Sequence, residues 1–430
     1  MKPHPLSRTR TPPRPFPLRW LLAGAIASLL PVTASADAVT DWNAIANGVI
    51  AGAGAPPQQY RVFAMTHVAI HDALNAIQPR YRSYNPIGAA NPNASKEAAI
   101  AAAARTVLVE TLPPAQDAIV EGLYASYLAG LSCPAAYPAC IDAGIAVGTT
   151  AGQAIIDRRV GDGSEMPHLP YTLAPAPGVY QPTLPLPPAP APYPQFGNWG
   201  NLAPFALSSS WQFTPGRSAL QTLTSPTYTR DFNEVKALGS ALVRAAAPDS
   251  EESLIAMHWG VLGGANVNGY TRTIVAGRNL SLWQNARLFA LVNIAVNDGL
   301  IVVFKAKFRY NFWRPYTAIR AAASDGNPAT TADPDWNAYV TTPPYPDYPC
   351  GLPSTIASST QVLRSFFGTD NVPFTFGTPA RHYDTLSQAA AESAMARVYG
   401  GMHFRSGCLA SLHLGQNVGR YVYNTQLRPL

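Results

Sequence analysis

Charge is scarce in this sequence. Only 13% of its 430 residues are Asp, Glu, Lys or Arg, against 47% hydrophobic residues. A chain of this size and apolarity buries a large core, enough for two helical layers or subdomains. The formal charge of +6 makes no case for nucleic acid. Five of its basic residues (Lys2, Arg8, Arg10, Arg14 and Arg19) lie in the first 36 positions, where no acid stands. From Asp37 onward the chain is close to neutral, whereas a nucleic-acid partner calls for a basic surface.

Other absences narrow the fold. No long stretch alternates apolar and polar residues, so no sheet is predicted. No repeat of fixed period is evident. The most apolar interior run, LFALVNIAVNDGLIVVF at 288–304, contains Asn293, Asn297 and Asp298. A spanning helix needs about 20 mostly apolar residues. This run therefore reads as a helix buried in a bundle, and no transmembrane segment is expected in the mature chain. Cysteine is rare, with four in the whole sequence.

What is present begins with a targeting signal. A basic stretch precedes WLLAGAIASLLPV, and Ala34-Ser35-Ala36 offers a small-x-small cleavage site before Asp37. Residues 1–36 read as a secretory signal peptide, and the protein is expected to be periplasmic or secreted. Arg8 and Arg10 are not adjacent, so the twin-arginine route is not supported. In an oxidising compartment Cys133 and Cys140, in SCPAAYPAC, are expected to form a local disulfide. Cys350 and Cys408 either pair or leave a free thiol; spacing leaves both open.

The mature chain reads as all-α. Helical periodicity marks 59–78, and Ser95 caps an alanine-rich helix to about Thr111. Another helix starts at Pro113-Pro114. A further one, over 141–159, places Gly144, Gly148 and Gly152 on one small face for close packing in a soluble bundle. Residues 164–206 are dense in proline, which excludes regular helix and central strand. Their tyrosines, Phe196 and Trp199 suggest an ordered extended strap. Helices resume near 229, 250, 284 and 384. The expected organisation is an N-terminal helical half (37–163), the strap (164–206) and a C-terminal helical half (207–430), each half resembling a four-helix bundle.

Three stretches carry chemistry. KFRYNFWRP, residues 307–315, ends the most apolar segment with Lys307, Arg309 and Arg314. Cations there either return to water or converge on an anion, because burial of unpaired charge is costly. Lys307 and Arg314 are seven apart, two turns on one helical face, with Pro315 expected to end the helix. Arg309 is off that face and reads as structural. In TPPYPDYPCGLPST (341–355), Pro349-Cys350-Gly351 forms a tight turn before a helix start near Ser354. Backbone N–H groups at such a turn can hold an anion. In ARVYGGMHFRSG (396–407), Arg397 ends a helix, Gly400-Gly401 bends the chain, and His403 follows.

Together, Lys307-(six residues)-Arg314-Pro315, then Pro349-Cys350-Gly351-Leu352, then Arg397-(five residues)-His403 resemble the three-part signature of the vanadium-dependent haloperoxidases. The bacterial acid phosphatases and type 2 phosphatidic acid phosphatases share that signature. HVAIHDALNAI (67–77), ARLFALVNIAVND (286–298) and YNFWRPYTAIR (310–320) are similar to the secreted bacterial haloperoxidase branch, and the likeness covers most of 59–424. It implies four-helix bundles and one oxyanion site. Lys307, Arg314 and Arg397 would hold vanadate, or phosphate in the same place, with Gly351 N–H and Cys350 as further donors. His403 would bind vanadium at the axial position; in the phosphatase relatives the matching histidine is the nucleophile. The implied small molecules are hydrogen peroxide, halide and an organic acceptor. A homo-oligomer stays open.

Two positions depart from the signature, whose second part usually reads Pro-Ser-Gly-His. Cys350 replaces Ser; a thiol donates weakly, and a disulfide with Cys408 would remove that donor. Leu352 stands where the family has its acid–base histidine. Losing such a group costs roughly 10²–10⁴-fold in rate. The expected function is therefore an exported haloperoxidase-like protein of impaired activity. The alternatives are an acid phosphatase-type phosphomonoesterase and a degenerate oxyanion-binding protein. His67 and His71, at i and i+4, could bind zinc, but no glutamate lies between them, and a buried polar network with Asp72 is the better reading. Ser354 lacks a glycine-flanked elbow and is no persuasive nucleophile. His258, His382 and His413 have no evident partners.

Overall fold

Why the 288–304 run can be so apolar is clear from its surroundings. A computed structural model of the chain describes residues 37–51, 54–167, 170–183, 194–260 and 264–430. The region read as a signal peptide lies outside the described residues, as do 168–169 and 184–193 of the proline-rich stretch. All described residues belong to one unit.

Fourteen α-helices occur among them, so the all-α expectation holds. The first five are α1 (Ala38–Ile50), α2 (Pro56–Ile77), α3 (Lys96–Thr111), α4 (Asp117–Ala129) and α5 (Cys140–Arg158). After the proline-rich stretch come α6 (Pro226–Leu238), α7 (Ala241–Ala246), α8 (Glu251–Gly260) and α9 (Gly264–Val275). The last five are α10 (Leu282–Tyr310), α11 (Pro315–Arg320), α12 (Leu352–Phe367), α13 (Leu386–Tyr399) and α14 (Arg405–Thr425). One small hairpin interrupts them: β1 (Phe374–Phe376) pairs antiparallel with β2 (Arg381–Tyr383), Phe374 opposite Tyr383. No sheet was predicted, because strands of three residues carry too little alternation to register.

Helix α10 organises the core. Ser281 caps it, accepting from Gln284 N–H while Gln284 Oε1 accepts from Ser281 N–H, a reciprocal box that satisfies two end donors. Every residue from 288 to 304 is buried. The helix is long and apolar enough to cross a membrane, but 94% of its apolar window is buried, and it packs on α2, α12 and α14. Its polar exceptions are anchors. Asp298 accepts backbone N–H groups from Phe205, Ala206 and Leu207 at 2.7, 2.7 and 3.0 Å. Asn293 exchanges amide hydrogen bonds with Asn268 of α9.

Small faces set the helix spacing elsewhere. A Cβ at Gly144 or Gly148 of α5 would overlap the carbonyl oxygens of Ser95 or Ala99, and one at Gly152 the Thr106 side chain. The glycines thus let α5 lie directly on α3, as a soluble bundle requires.

The chain then turns toward the site. α10 ends at Asn311, which takes the left-handed conformation (φ 48°) suited to a helix C-cap. Tyr180 N–H donates to Asn311 O and Trp313 N–H to Gly178 O, so part of the proline-rich stretch runs beside this turn. Pro315 does not end the helix containing Lys307, as the sequence suggested. It starts α11, with Arg314 as the N-cap. Proline fits the first turn of a helix, where its missing N–H costs nothing.

Candidate functional site

Lys307, Arg314 and His403 meet in a buried cluster although they sit on three different elements. Lys307 is in the last turn of α10, Arg314 caps α11, and His403 lies in the turn between α13 and α14. All three are at most 1% exposed. The two-turn argument for Lys307 and Arg314 thus fails in detail, since α10 stops at Tyr310, yet both cations reach one place. They lie 5.2 and 5.0 Å from the centre of the Tyr345 ring. Lys307 Nζ donates to the carbonyls of Pro346 and Asp347, each at 2.8 Å. Arg314 Nε donates to Tyr345 O at 2.7 Å, and Nη1 to Met402 O at 2.9 Å.

A turn brings Arg397 and His403 together. Met402 and His403 both direct their N–H groups to Arg397 O, at 3.0 and 3.3 Å. Gly401 makes this closure with φ 76°, and a side chain there would also strike Gly239 and Ala338. Arg397 is 7% exposed; its Nη1 lies 3.4 Å from Trp259 O, while Nε has no partner among the described residues. Arg314 Nη2 is likewise unpartnered.

The sequence reading missed Asp347. This fully buried carboxylate places Oδ1 2.8 Å from His403 Nδ1 and 3.8 Å from Arg314 Nη1. The imidazole N–H is not aimed squarely at that oxygen, so the contact is electrostatic more than a well-aligned hydrogen bond. Burial raises the Asp347 carboxyl to about 7, against the lowering pull of Arg314 and Lys307. His403 is held well below the usual imidazole range, first by burial and then by Arg314, Lys307 and Arg397. It is therefore neutral. Arg314 Nη1 lies 3.2 Å from His403 Nδ1 and 2.8 Å from Nε2, so the neutral ring is held between the guanidinium and Asp347. Burial also depresses Lys307 well below its ordinary value and brings Arg397 down to about 10.

One carboxylate against three cations leaves surplus positive charge in a dry place. Two guanidinium nitrogens there lack partners. The first backbone N–H groups of α12, at Gly351 and Leu352, also have none among the described residues. A Cβ built on Gly351 would enter open space. That space belongs to a cavity of about 480 Å³ reached by Gly351, Leu352, Arg397 and His403. Surplus charge, free donors and room beside the glycine fit a small oxyanion such as vanadate or phosphate.

Cys350 must be corrected. It forms a disulfide with Cys408, so its sulfur carries no proton and cannot serve as the donor expected at that position. The bridge instead ties the turn before α12 to the start of α14, five residues after His403. Cys133 and Cys140 are also bridged. Arg309 stands exposed, its guanidinium 5.0 Å from the Trp211 ring centre, away from the cluster.

His67 and His71 belong to packing. His71 Nδ1 lies 3.0 Å from Asp72 Oδ1, and Asp72 also accepts from Tyr84 and Asn85 N–H. Asn43 Nδ2 lies 2.7 Å from His67 Nε2. No group of metal-binding side chains occurs among the described residues. Burial, reinforced by Arg272, lowers His67 from 6.5 to about 3. The unfolded chain binds this proton first, so the contribution of His67 to stability is present above pH 6.5 and lost as pH falls toward 3. The loss approaches about 1.4 kcal/mol per pH unit within that window. Thermal unfolding at pH 7.5 and 4.5 should therefore show wild type ahead of His67→Gln at the higher pH and a narrower gap at the lower. An equal gap at both would refute the buried neutral imidazole.

Comparison with known proteins agrees with this geometry. Residues 287–430 match a family described as the VCPO second helical-bundle domain. The vanadium chloroperoxidase of Curvularia inaequalis is 27% identical over 177 residues, covering 29% of this chain and 28% of that protein. The match thus spans little more than a quarter of the relative's length. Among solved structures, the first bacterial vanadium-dependent iodoperoxidase superposes with a TM-score of 0.77 at 23% identity, covering 91% of this chain and 97% of that one. A holo-type bacterial vanadium-dependent chloroperoxidase gives 0.68 at 17% identity, covering 87% and 94%. These structures share the fold. The chain is thus similar to vanadium-dependent haloperoxidases in fold and, over residues 287–430, to the VCPO second helical-bundle domain family.

Proposed function

We propose that the protein is an exported member of this family that binds vanadate and oxidises halide with hydrogen peroxide, at a turnover reduced by Leu352. The carrying observation is the buried cluster of Lys307, Arg314 and Arg397, with Asp347 as the one carboxylate against them, beside an open cavity. Lys307, Arg314 and Arg397 would neutralise the oxygens of the anion, with Gly351 N–H as a further donor. His403, held neutral by burial and the neighbouring cations, would be the ring-nitrogen ligand. Vanadate, if bound there, would supply a Lewis-acid centre for peroxide. The chain's own contribution is to hold the anion, exclude water and keep His403 unprotonated. What it lacks is a proton carrier at 352, since leucine neither gives nor takes one. Export is supported by residues 1–36 and by two disulfides in so small a set of cysteines.

Leu352 also supports a second reading, an oxyanion-binding relative without turnover. A phosphomonoesterase is the other enzymatic alternative, with His403 as nucleophile. Purified protein assayed for peroxide-dependent bromination, with and without added vanadate, and in parallel for phosphate-ester hydrolysis, separates these. Vanadate-dependent bromination is the expected result. Hydrolysis inhibited by vanadate would move the assignment to the phosphatase, and silence in both assays with retained vanadate binding would move it to the binding protein.

A further inference from the structure

Arg397 is held by a chain of contacts that starts outside the cavity. Its Nη1 donates to Trp259 O at 3.4 Å, and no carboxylate touches it among the described residues. Trp259 is the last residue but one of α8, so its carbonyl belongs to the negative end of that helix, where a cation is favoured. Both residues line the cavity. The Trp259 side chain, 1% exposed, is fixed from its other side, where Nε1 donates to Glu392 Oε1 at 2.8 Å. Glu392 lies on α13, as Arg397 does. Its carboxylate also accepts from Tyr383 OH at 2.7 Å and from Arg381 Nε and Nη2 at 2.9 and 2.8 Å, both residues of β2. Arg381 in turn pairs with Glu251, the first residue of α8. Helix α8 is thus tied to β2 at its start and to α13 at its end.

We propose that Glu392 is a positioning residue for Arg397: it fixes the Trp259 indole, and with it the carbonyl that aims the Arg397 guanidinium at the bound oxyanion. The inference rests on the oxyanion-site reading above. Glu392 and Arg397 are five residues apart, so their side chains leave α13 in directions roughly 140° apart, and Glu392 acts only through Trp259. Arg397 needs such help. A long, flexible side chain with one carbonyl contact, and with Nε unpartnered, is otherwise free to turn away from Arg314 and Lys307. A rigid acceptor on one edge of the guanidinium leaves the other N–H groups for the ligand. Partners one step behind a ligand-binding group commonly matter this much to affinity. The β1–β2 hairpin then has a role in the site, since its Arg381 and Tyr383 hold the Glu392 carboxylate in place.

Isothermal titration of the mature chain with orthovanadate, and separately with inorganic phosphate, tests the idea, with Tm measured on each variant. Trp259→Phe keeps an aromatic ring in the core and removes the indole N–H. Glu392→Ala removes the acceptor. Each should weaken both anions about tenfold. Glu392→Gln keeps an oxygen for Trp259 Nε1 but sets an amide N–H against Arg381, so it should lose as much Tm as Glu392→Ala and still bind like wild type. A merely structural role would make affinity follow Tm and give no such rescue. Arg397→Ala reports on the site itself. If it abolishes binding while Trp259→Phe or Glu392→Ala binds like wild type, or while Glu392→Gln loses as much affinity as Glu392→Ala, the Glu392 assignment is overturned and the oxyanion site stands. If Arg397→Ala binds as well as wild type, or wild type binds neither anion, both fall together.

Discussion

Arg397→Ala is expected to abolish the thermal stabilisation that vanadate should give the wild-type protein. A ligand bound only by the folded state stabilises it by RT ln(1 + [L]/Kd), about 2.7 kcal/mol at a hundredfold excess over Kd. For a chain of this size that is roughly a 3 °C rise in Tm. Arg397 is the informative position because its guanidinium is buried with Nε unpartnered and no carboxylate in contact. Its pKa is already pulled down to about 10 by burial, with Arg314 adding repulsion. Removing it relieves that repulsion in the unliganded protein, against the cost of a cavity. The unliganded Tm should therefore change little while the response to vanadate disappears. Differential scanning fluorimetry at zero and millimolar vanadate reads both numbers. A variant that responds like wild type would show that Arg397 is no ligand, and an unresponsive wild type would count against the whole pocket.

The residues of the cluster that lie near the chain's own local signals were legible before the structure. Lys307 and Arg314 announce themselves as cations at the end of an apolar run, and His403 follows a Gly-Gly bend after Arg397. The buried helix around 288–304 follows from apolarity interrupted by too many polar groups for a membrane. Other features depend on contacts that no local pattern encodes. Asp347 looks like one more polar residue in a proline-rich loop until the fold sets it against His403 Nδ1. Proline at 315 is compatible with ending one helix or starting another. The left-handed Asn311 cap decides between them, and asparagine tolerates that conformation without requiring it. The Cys350–Cys408 bridge depends on α14 returning beside the turn before α12, where Cys350 N–H donates to Gly407 O at 3.2 Å.

Leu352→His is expected to raise turnover on the order of 10²-fold or more in whichever reaction the site supports, because a positioned acid–base group contributes that much. Leu352 is the first residue of α12 and lines the cavity with Gly351, Arg397 and His403, so an imidazole there would face the same space as the ligand. The helix start tolerates the change, since Leu352 is only half-buried and packs at the edge of the core. Vanadate affinity should move little, as the charge-bearing contacts come from Lys307, Arg314 and Arg397. The objection is orientation: an imidazole without a partner in a leucine-shaped place can sit badly. Thr355 lines the same cavity, and its Oγ1, which donates to Leu352 O, can accept from such an imidazole. Steady-state bromination and phosphate-ester hydrolysis, measured beside vanadate titration of the same variant, give the test. A folded Leu352→His protein that binds vanadate as wild type does, with no gain in either reaction, would mean that more than the proton carrier has been lost. The binding-protein reading would then displace the enzyme.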